Sequence, residues 1–214
     1  MDVWLMNRTR VKVCGICTSA DAELAITAGV DAIGMVFYSK SPRHVSMATA
    51  RVIASAIPPF VSTVGLFVNS SQQHIREVLS EVQLDLLQFH GDEDEAFCSS
   101  FNLPYIKAIR VKADTDLVQV FHSYASARGI LLDSYKKDTR GGTGETFDWN
   151  IIPQDLPLPV ILAGGLDGNN VAQAISVAKP WAVDVSSGVE GLPGKKDQKK
   201  IEQFMDAVES LRRK

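Results

Sequence analysis

Short apolar runs rich in β-branched residues recur along the chain at intervals of about 21 to 31 residues, the spacing that a strand followed by a helix requires. There are eight, at 10–14, 31–37, 62–68, 84–89, 105–111, 129–133, 159–163 and 182–185. The segments between them change period. Leu117, Val118, Phe121, Tyr124 and Ala125 follow the i, i+3, i+4 rule of an amphipathic helix, and Ile201, Phe204, Met205 and Val208 do the same near the end of the chain. Helix starts are marked at Thr18 with Asp21 and at Ser70 with Gln73, pairs spaced so that a side-chain oxygen reaches the free amides of a first turn. No linker rich in Pro, Gly or Ser divides the chain, and the prolines fall mainly between elements, as at Pro58-Pro59 and Pro157-Leu158-Pro159. The pattern predicts one domain over 10–214, preceded by a leader at 1–9 that is free to be disordered.

Eight β/α units can close into a barrel or spread as an open, doubly wound sheet, and periodicity does not separate the two. The polar positions do. An open nucleotide-binding sheet would place a glycine-rich turn after its first strand, whereas here that strand ends in Cys14-Gly15-Ile16-Cys17. Cys14, His90, Asp133, Gly164-Gly165 and Ser186-Ser187 instead stand at the carboxyl ends of strands 1, 4, 6, 7 and 8. Only a closed barrel gathers those ends around one mouth. The predicted fold is α/β, a single (β/α)8 TIM barrel with its site at that mouth.

Composition excludes several other classes. Hydrophobic residues make up 45% and charged residues 22% of 214, the balance of a globular chain with one sizeable core. No apolar run approaches the length of a bilayer span, so no membrane partner is expected. A formal net charge of -3 gives no footing for nucleic acid, which needs clustered cations. Three cysteines, Cys14, Cys17 and Cys98, are too few for a disulfide framework and suit a reducing compartment. The opening residues carry an early Asp2 and no small-residue cleavage site, so the expected location is cytoplasmic. Monomer and homodimer are equally compatible with the sequence.

The candidate chemistry sits at the strand ends. Gly164-Gly165 and Ser186-Ser187-Gly188 let main-chain amides approach an anion, and in barrels the turns after strands 7 and 8 are a frequent phosphate site. A small phosphorylated substrate is the expected partner. On strand 1, Lys12 and Cys14 share the face opposite Val11 and Val13 and so point into the barrel. A nearby ammonium is expected to lower the thiol below its usual value of about 8.5, toward a thiolate base. Asp184 on the last strand is the expected partner of Lys12. Asp133 ends an apolar strand across the barrel, and a carboxyl partly withdrawn from water can keep its proton and act as an acid. His44, His74 and His122 do not gather with carboxylates at strand ends, so no metal is expected. The stretch 134–146 is glycine-rich and reads as a mobile lid or a plain surface loop.

From residue 10 onward the chain resembles the phosphoribosylanthranilate isomerase family of tryptophan biosynthesis. The residues that carry the resemblance are Lys12-x-Cys14-Gly15-Ile16, Gly34-Met35-Val36-Phe37 with Ser41-Pro42-Arg43, and Val64-Gly65-Leu66-Phe67-Val68-Asn69. They continue with Gln88-Phe89-His90-Gly91, Leu131-Leu132-Asp133-Ser134, Gly141-Gly142-Thr143-Gly144 with Phe147-Asp148-Trp149, and Ala163-Gly164-Gly165-Leu166. Val183-Asp184-Val185-Ser186-Ser187-Gly188-Val189-Glu190 and Pro193-Gly194-Lys195-Lys196-Asp197 complete the match. The resemblance implies an Amadori rearrangement of an aminoaldose phosphate without a cofactor. It implies Asp133 as general acid, Cys14 as general base and Arg43 as the residue that engages the anthranilate end, with His90 as a further ligand contact or a structural donor. Cys17 and Phe89 depart from the family, which commonly has Thr and Leu there. Cys17 adds an expected sensitivity to oxidation.

Three rivals remain at this level. A histidine-pathway aminoaldose isomerase of the same fold uses carboxylates for both acid and base, and Cys14 argues against it. A non-catalytic barrel holding a phosphorylated cofactor such as a flavin would be coloured. A disulfide oxidoreductase built on Cys14-Gly15-Ile16-Cys17 would need a thioredoxin-like fold, which eight β/α units do not supply.

Overall fold

In the computed structural model, eight parallel strands close in sequence order into one barrel. The structure describes residues 8–112, 114–134 and 147–213. Residues 1–7 of the leader expected at 1–9, and 135–146 of the stretch 134–146 read as a mobile lid or a plain surface loop, lie outside them. The strands are β1 (Arg10–Cys14), β2 (Ala32–Val36), β3 (Ser62–Phe67), β4 (Leu86–Phe89), β5 (Tyr105–Val111), β6 (Gly129–Ser134), β7 (Val160–Leu162) and β8 (Ala182–Val185). All eight coincide with apolar runs of the sequence. Closure is made by β1 against β8, in a register that sets Lys12 beside Asp184.

The helices are α1 (Ser19–Thr27), α2 (Met47–Ser55), α3 (Gln72–Glu81), α4 (Glu95–Cys98), α5 (Leu117–Ser123), α6 (Val171–Ala178) and α7 (Gln198–Glu209). Between β6 and β7 the described residues hold only a 3-10 turn, Trp149–Ile151. The Thr18 cap forms as the spacing predicts, with Oγ1 accepting from the Asp21 amide and donating to the Asp21 carboxylate. The next cap is a correction. Ser71, not Ser70, caps α3, accepting from the His74 amide. Asn69 is held in a left-handed turn, its amide on Glu93 and its side-chain amide on Asp92, so helical backbone begins only after that turn is complete.

Strand parity sorts the core into layers. Val11, Val13, Ile33, Met35, Phe89, Leu132 and Val183 face outward into the helix layer, where Ile75, Val78, Ile201 and Phe204 meet them. Ile106, Ala108, Leu131, Ile161 and Ala182 fill the barrel interior. Above them Cys14, Val36 and Leu66 form a small apolar cluster at the mouth, with Tyr38 and Val68 packed on it. Because a fully buried Val or Leu contributes about 1.5–3 kcal/mol, the outward face fixes the strand register and thereby which residues reach the mouth. Gly34 of β2 leaves room there, since a Cβ on it would lie 2.9 Å from the Cys14 sulfur.

Candidate active site

The mouth opens as a cavity of about 550 Å³. Cys14, Arg43, His90, Asp133, Gly164, Gly165, Asp184, Ser186 and Ser187 all border it. Lys12 stays out of its wall, one layer deeper, and Gly188 does not border it. The barrel thus brings together side chains that stand as far apart in the chain as Cys14 and Ser187.

Lys12 Nζ donates to Asp184 Oδ1 at 2.8 Å, a buried ion pair directly beneath Cys14. Burial pushes the ammonium down, but Asp184 and Cys14 beside it outweigh that and hold it above its usual value. Burial pushes the Asp184 carboxyl up, with Lys12 pulling against it. Cys14 itself departs from the sequence reading. Its thiol, only 5% exposed, is pushed up by burial. Lys12 and Lys196 pull it down and Asp184 pushes it further up, so even two neighbouring ammonium groups do not overcome desolvation. Alkylation by iodoacetamide, followed by mass spectrometry across pH, should therefore give a Cys14 midpoint above the roughly 8.5 of a free thiol. A midpoint below that value contradicts the electrostatics described. Cys98, pushed up to about 12 by burial, serves as the slow internal reference.

Asp133, one residue before the end of β6, borders the cavity and is 7% exposed. His90 Nε2 lies 3.1 Å from Asp133 Oδ2, and Gln88 Nε2 lies 3.1 Å from His90 Nδ1. An amide nitrogen can only donate, so Nδ1 accepts and Nε2 carries the proton that binds Asp133. His90 therefore both borders the cavity and orients the carboxyl. Gln88, fully buried, is part of this chain of bonds and carried no signal in the sequence beyond its place in the Gln88-Phe89-His90-Gly91 motif.

Next to Asp133, after β7, Gly164 and Gly165 turn the chain through left-handed backbone, with φ of 83° and 66°. Among the described residues the amides of Gly165 and Ser187 have no main-chain acceptor, and amides left free in such turns form a concavity suited to an anion. A Cβ on Gly164 would run into the Ser134 amide and lie 2.7 Å from Asp133 Oδ1. Left-handed backbone alone costs a side-chain-bearing residue about 1–2 kcal/mol. Gly164→Ala should therefore lower Tm by several degrees, at roughly 2–4 °C per kcal/mol for a chain of this size. An unchanged melting curve would show that this turn is not constrained as described.

Arg43, expected at the aromatic end of the substrate, borders the cavity and is also engaged within the protein, where its Nε and Nη2 each donate to Glu190 at 2.7 Å. Glu190 leads β9 (Glu190–Leu192), which pairs with β10 (Lys195–Lys196) in a short hairpin after β8. Lys196, 4% exposed, donates from Nζ to Glu190 Oε1 at 2.9 Å, to the Cys14 carbonyl at 2.7 Å and to the Ser186 carbonyl at 3.1 Å. Burial raises the Glu190 carboxyl, but Arg43 and Lys196 together hold it below its usual value. The hairpin thus ties the ends of β1 and β8 to the loop after β2. Sequence reasoning gave Glu190 and Lys196 no role, although both lie in matched motifs.

The three cysteines are free. Cys17 packs against the helix-side core while Cys14 belongs to the mouth cluster, so the two thiols occupy different surroundings. Among the described residues no group of three or more His, Cys, Asp or Glu could hold a metal ion. No helix among them is long and apolar enough to cross a membrane.

Comparison with known proteins places this geometry. The family model described as N-(5'phosphoribosyl)anthranilate (PRA) isomerase matches residues 11–207. The N-(5'-phosphoribosyl)anthranilate isomerase of Pseudomonas savastanoi pv. phaseolicola is 57% identical over 203 residues, covering 95% of this chain and 98% of that protein. The crystal structure of phosphoribosyl anthranilate isomerase from Thermotoga maritima superposes with a TM-score of 0.86 at 41% identity, covering 94% of this chain and 99% of that one. Another crystal structure of such an isomerase, in complex with reduced 1-(o-carboxyphenylamino)-1-deoxyribulose 5-phosphate, superposes at 0.82 with 40% identity and the same coverage. The chain belongs to the N-(5'-phosphoribosyl)anthranilate isomerase family.

Proposed function

We propose that this protein catalyses the Amadori rearrangement of N-(5-phosphoribosyl)anthranilate, an aminoaldose, to 1-(2-carboxyphenylamino)-1-deoxyribulose 5-phosphate, a cytoplasmic step of tryptophan biosynthesis. The observation that carries this reading is the single cavity onto which Cys14 of β1 and Asp133 of β6 both open, with the glycine and serine turns after β7 and β8 on a third side. A relative of this fold at 40% identity binds the reduced product at high coverage, which supports the same substrate class here.

The phosphate seats on the amides of Gly164, Gly165, Ser186 and Ser187, which fixes the sugar across the mouth. Asp133 gives a proton to the furanose oxygen as the C1–O bond breaks and the nitrogen lone pair forms a protonated Schiff base. Cys14 Sγ then removes the proton from C2, and the electron pair closes to a neutral enolamine. C1 then takes up the proton held by Cys14 while the enol hydroxyl gives its proton to the Asp133 carboxylate, which leaves the C2 ketone and restores both groups. Nothing is oxidised or reduced overall, so proton transfer is sufficient and no cofactor is called for.

The thiol must lose its proton before it acts, and burial opposes that. Formation of a cationic Schiff base next to the sulfur favours the thiolate, in the same sense as Lys12 and Lys196. Lys12, held charged by Asp184, acts through Cys14 rather than on the substrate. The test is direct: purified protein is mixed with freshly made phosphoribosylanthranilate and the loss of its fluorescence is followed, with the aminoketose identified by mass. Fluorescence that decays no faster than in buffer overturns the reading.

A further inference from the structure

Buried lysines approach Cys14 from two sides, and their charges are compensated differently. Lys12, on β1 itself, meets Asp184 of β8 one to one at 2.8 Å. Lys12 pulls the Cys14 thiol down, and its own partner pushes the thiol back up. Lys196 comes from β10, with Nζ 2.7 Å from the Cys14 carbonyl and 3.1 Å from the Ser186 carbonyl. Its carboxylate is shared, since Glu190 Oε1 accepts from both Lys196 and Arg43 and Oε2 takes a second bond from Arg43. One negative charge between two cations leaves positive charge over on this side of the sulfur. With Lys196 only 4% exposed, water does little to screen it.

The other charged groups nearby are placed otherwise. Asp21 of α1 faces the hairpin but is taken up by the Lys196 amide and the Thr18 hydroxyl. Asp133 and His90 lie close enough to Asp184 to act on it. Val36 of β2 and Leu66 of β3, which pack with Cys14, carry no charge.

We infer that Lys196 is a positioning residue for the rearrangement: from the hairpin it ties the ends of β1 and β8 together and sets against Cys14 the positive charge that a thiolate there balances. This role rests on Cys14 as the base proposed above. The β9–β10 hairpin lies outside the barrel sheet, yet it completes the surroundings of the base.

The test reads the thiol first and turnover second. Wild type, Lys196→Met, Lys196→Gln and Glu190→Gln are alkylated with iodoacetamide across pH, and modification of Cys14 is followed by mass spectrometry against Cys98. Lys196→Met should slow Cys14 alkylation at neutral pH roughly tenfold or more, the effect of one poorly screened charge, and should meet the wild-type rate once the thiol is fully ionised. Lys196→Gln keeps a donor for the carbonyls and loses the charge, so its profile should shift as that of the Met variant does. Glu190→Gln keeps an oxygen for its partners and loses the negative charge, so it should speed alkylation at neutral pH several-fold, in the opposite direction. With phosphoribosylanthranilate, Lys196→Met should lower kcat about tenfold near neutrality, and the deficit should shrink as pH rises.

A Cys14 midpoint that stays in place in every variant overturns the inference. So does a wild-type profile in Lys196→Gln, which would make Lys196 a hydrogen-bonded tie alone, or a shifted profile with wild-type kcat at every pH. Should Lys196→Met fail to fold, Glu190→Gln decides by itself, and an unchanged or slower reaction there refutes the role. A wild-type protein inactive on phosphoribosylanthranilate sinks the rearrangement and this role with it. An active protein whose Cys14 profile ignores Lys196 sinks the inference alone.

Discussion

Asp133→Asn should lower kcat by at least about a hundredfold while leaving KM close to wild type, because general acid catalysis is worth roughly 10²–10⁴ in rate. The substitution isolates the proton. An asparagine oxygen can still accept the hydrogen from His90 Nε2, now 3.1 Å from Asp133 Oδ2, so the Gln88–His90–Asp133 chain of bonds survives. The amide nevertheless has no acidic proton for the furanose oxygen. The steric neighbours are the same, including Gly164, where a Cβ would lie 2.7 Å from Oδ1. A control melting curve close to wild type confirms that the loss is chemical. Full activity in this variant removes Asp133 from the proposed mechanism, and a loss confined to KM makes it a binding residue.

Cys14→Ala should have an effect of similar size for a different reason. It removes the only side chain of β1 that borders the cavity and, in the proposed mechanism, the base for C2 of the sugar. The structural cost is small. Cys14 packs with Val36 and Leu66 at the edge of the core, and deleting one sulfur there leaves a gap open to the mouth rather than a sealed void. Lys12 keeps Asp184 and Lys196 keeps its carbonyl and carboxylate partners. The expected result is kcat reduced at least about a hundredfold with substrate still bound, seen as unchanged affinity for a product analogue. Cys14→Ser should not restore it, since a hydroxyl is a far poorer acid and forms no useful base at neutral pH. Turnover near wild type in the alanine variant excludes the thiol as the base.

These two residues were found in the sequence for a simple reason. Asp133 stands near the end of an otherwise apolar strand, and Cys14 ends a strand whose valines alternate with Lys12 and Cys14, so both inward faces are visible without coordinates. Arg110, on β5 of sequence Tyr-Ile-Lys-Ala-Ile-Arg-Val, was not found because Lys107 and Arg110 stand three apart, on opposite faces, and the polar pattern therefore marked no inward side. Only the barrel shows that Lys107 points outward to Glu93 while Arg110 points to the mouth. The helix start at Ser71 was missed because Ser70 and Ser71 offer the same capping chemistry. The choice between them was made by Glu93, 24 positions from Asn69, which holds the preceding turn.

By itself, then, the sequence determined the eight strands, their alternating faces and the residues at their carboxyl ends. These follow from local rules: side chains alternate every residue along a strand, and apolar area seeks burial wherever the chain places it. Tertiary structure alone decided the pairing of Arg43 with Glu190 across 147 positions and of Lys196 with the Cys14 carbonyl across 182. It also decided the sign of the shift on the Cys14 thiol. Such properties depend on which groups closure brings within a few ångströms and on how much water it removes, and neither quantity is written in the order of the residues.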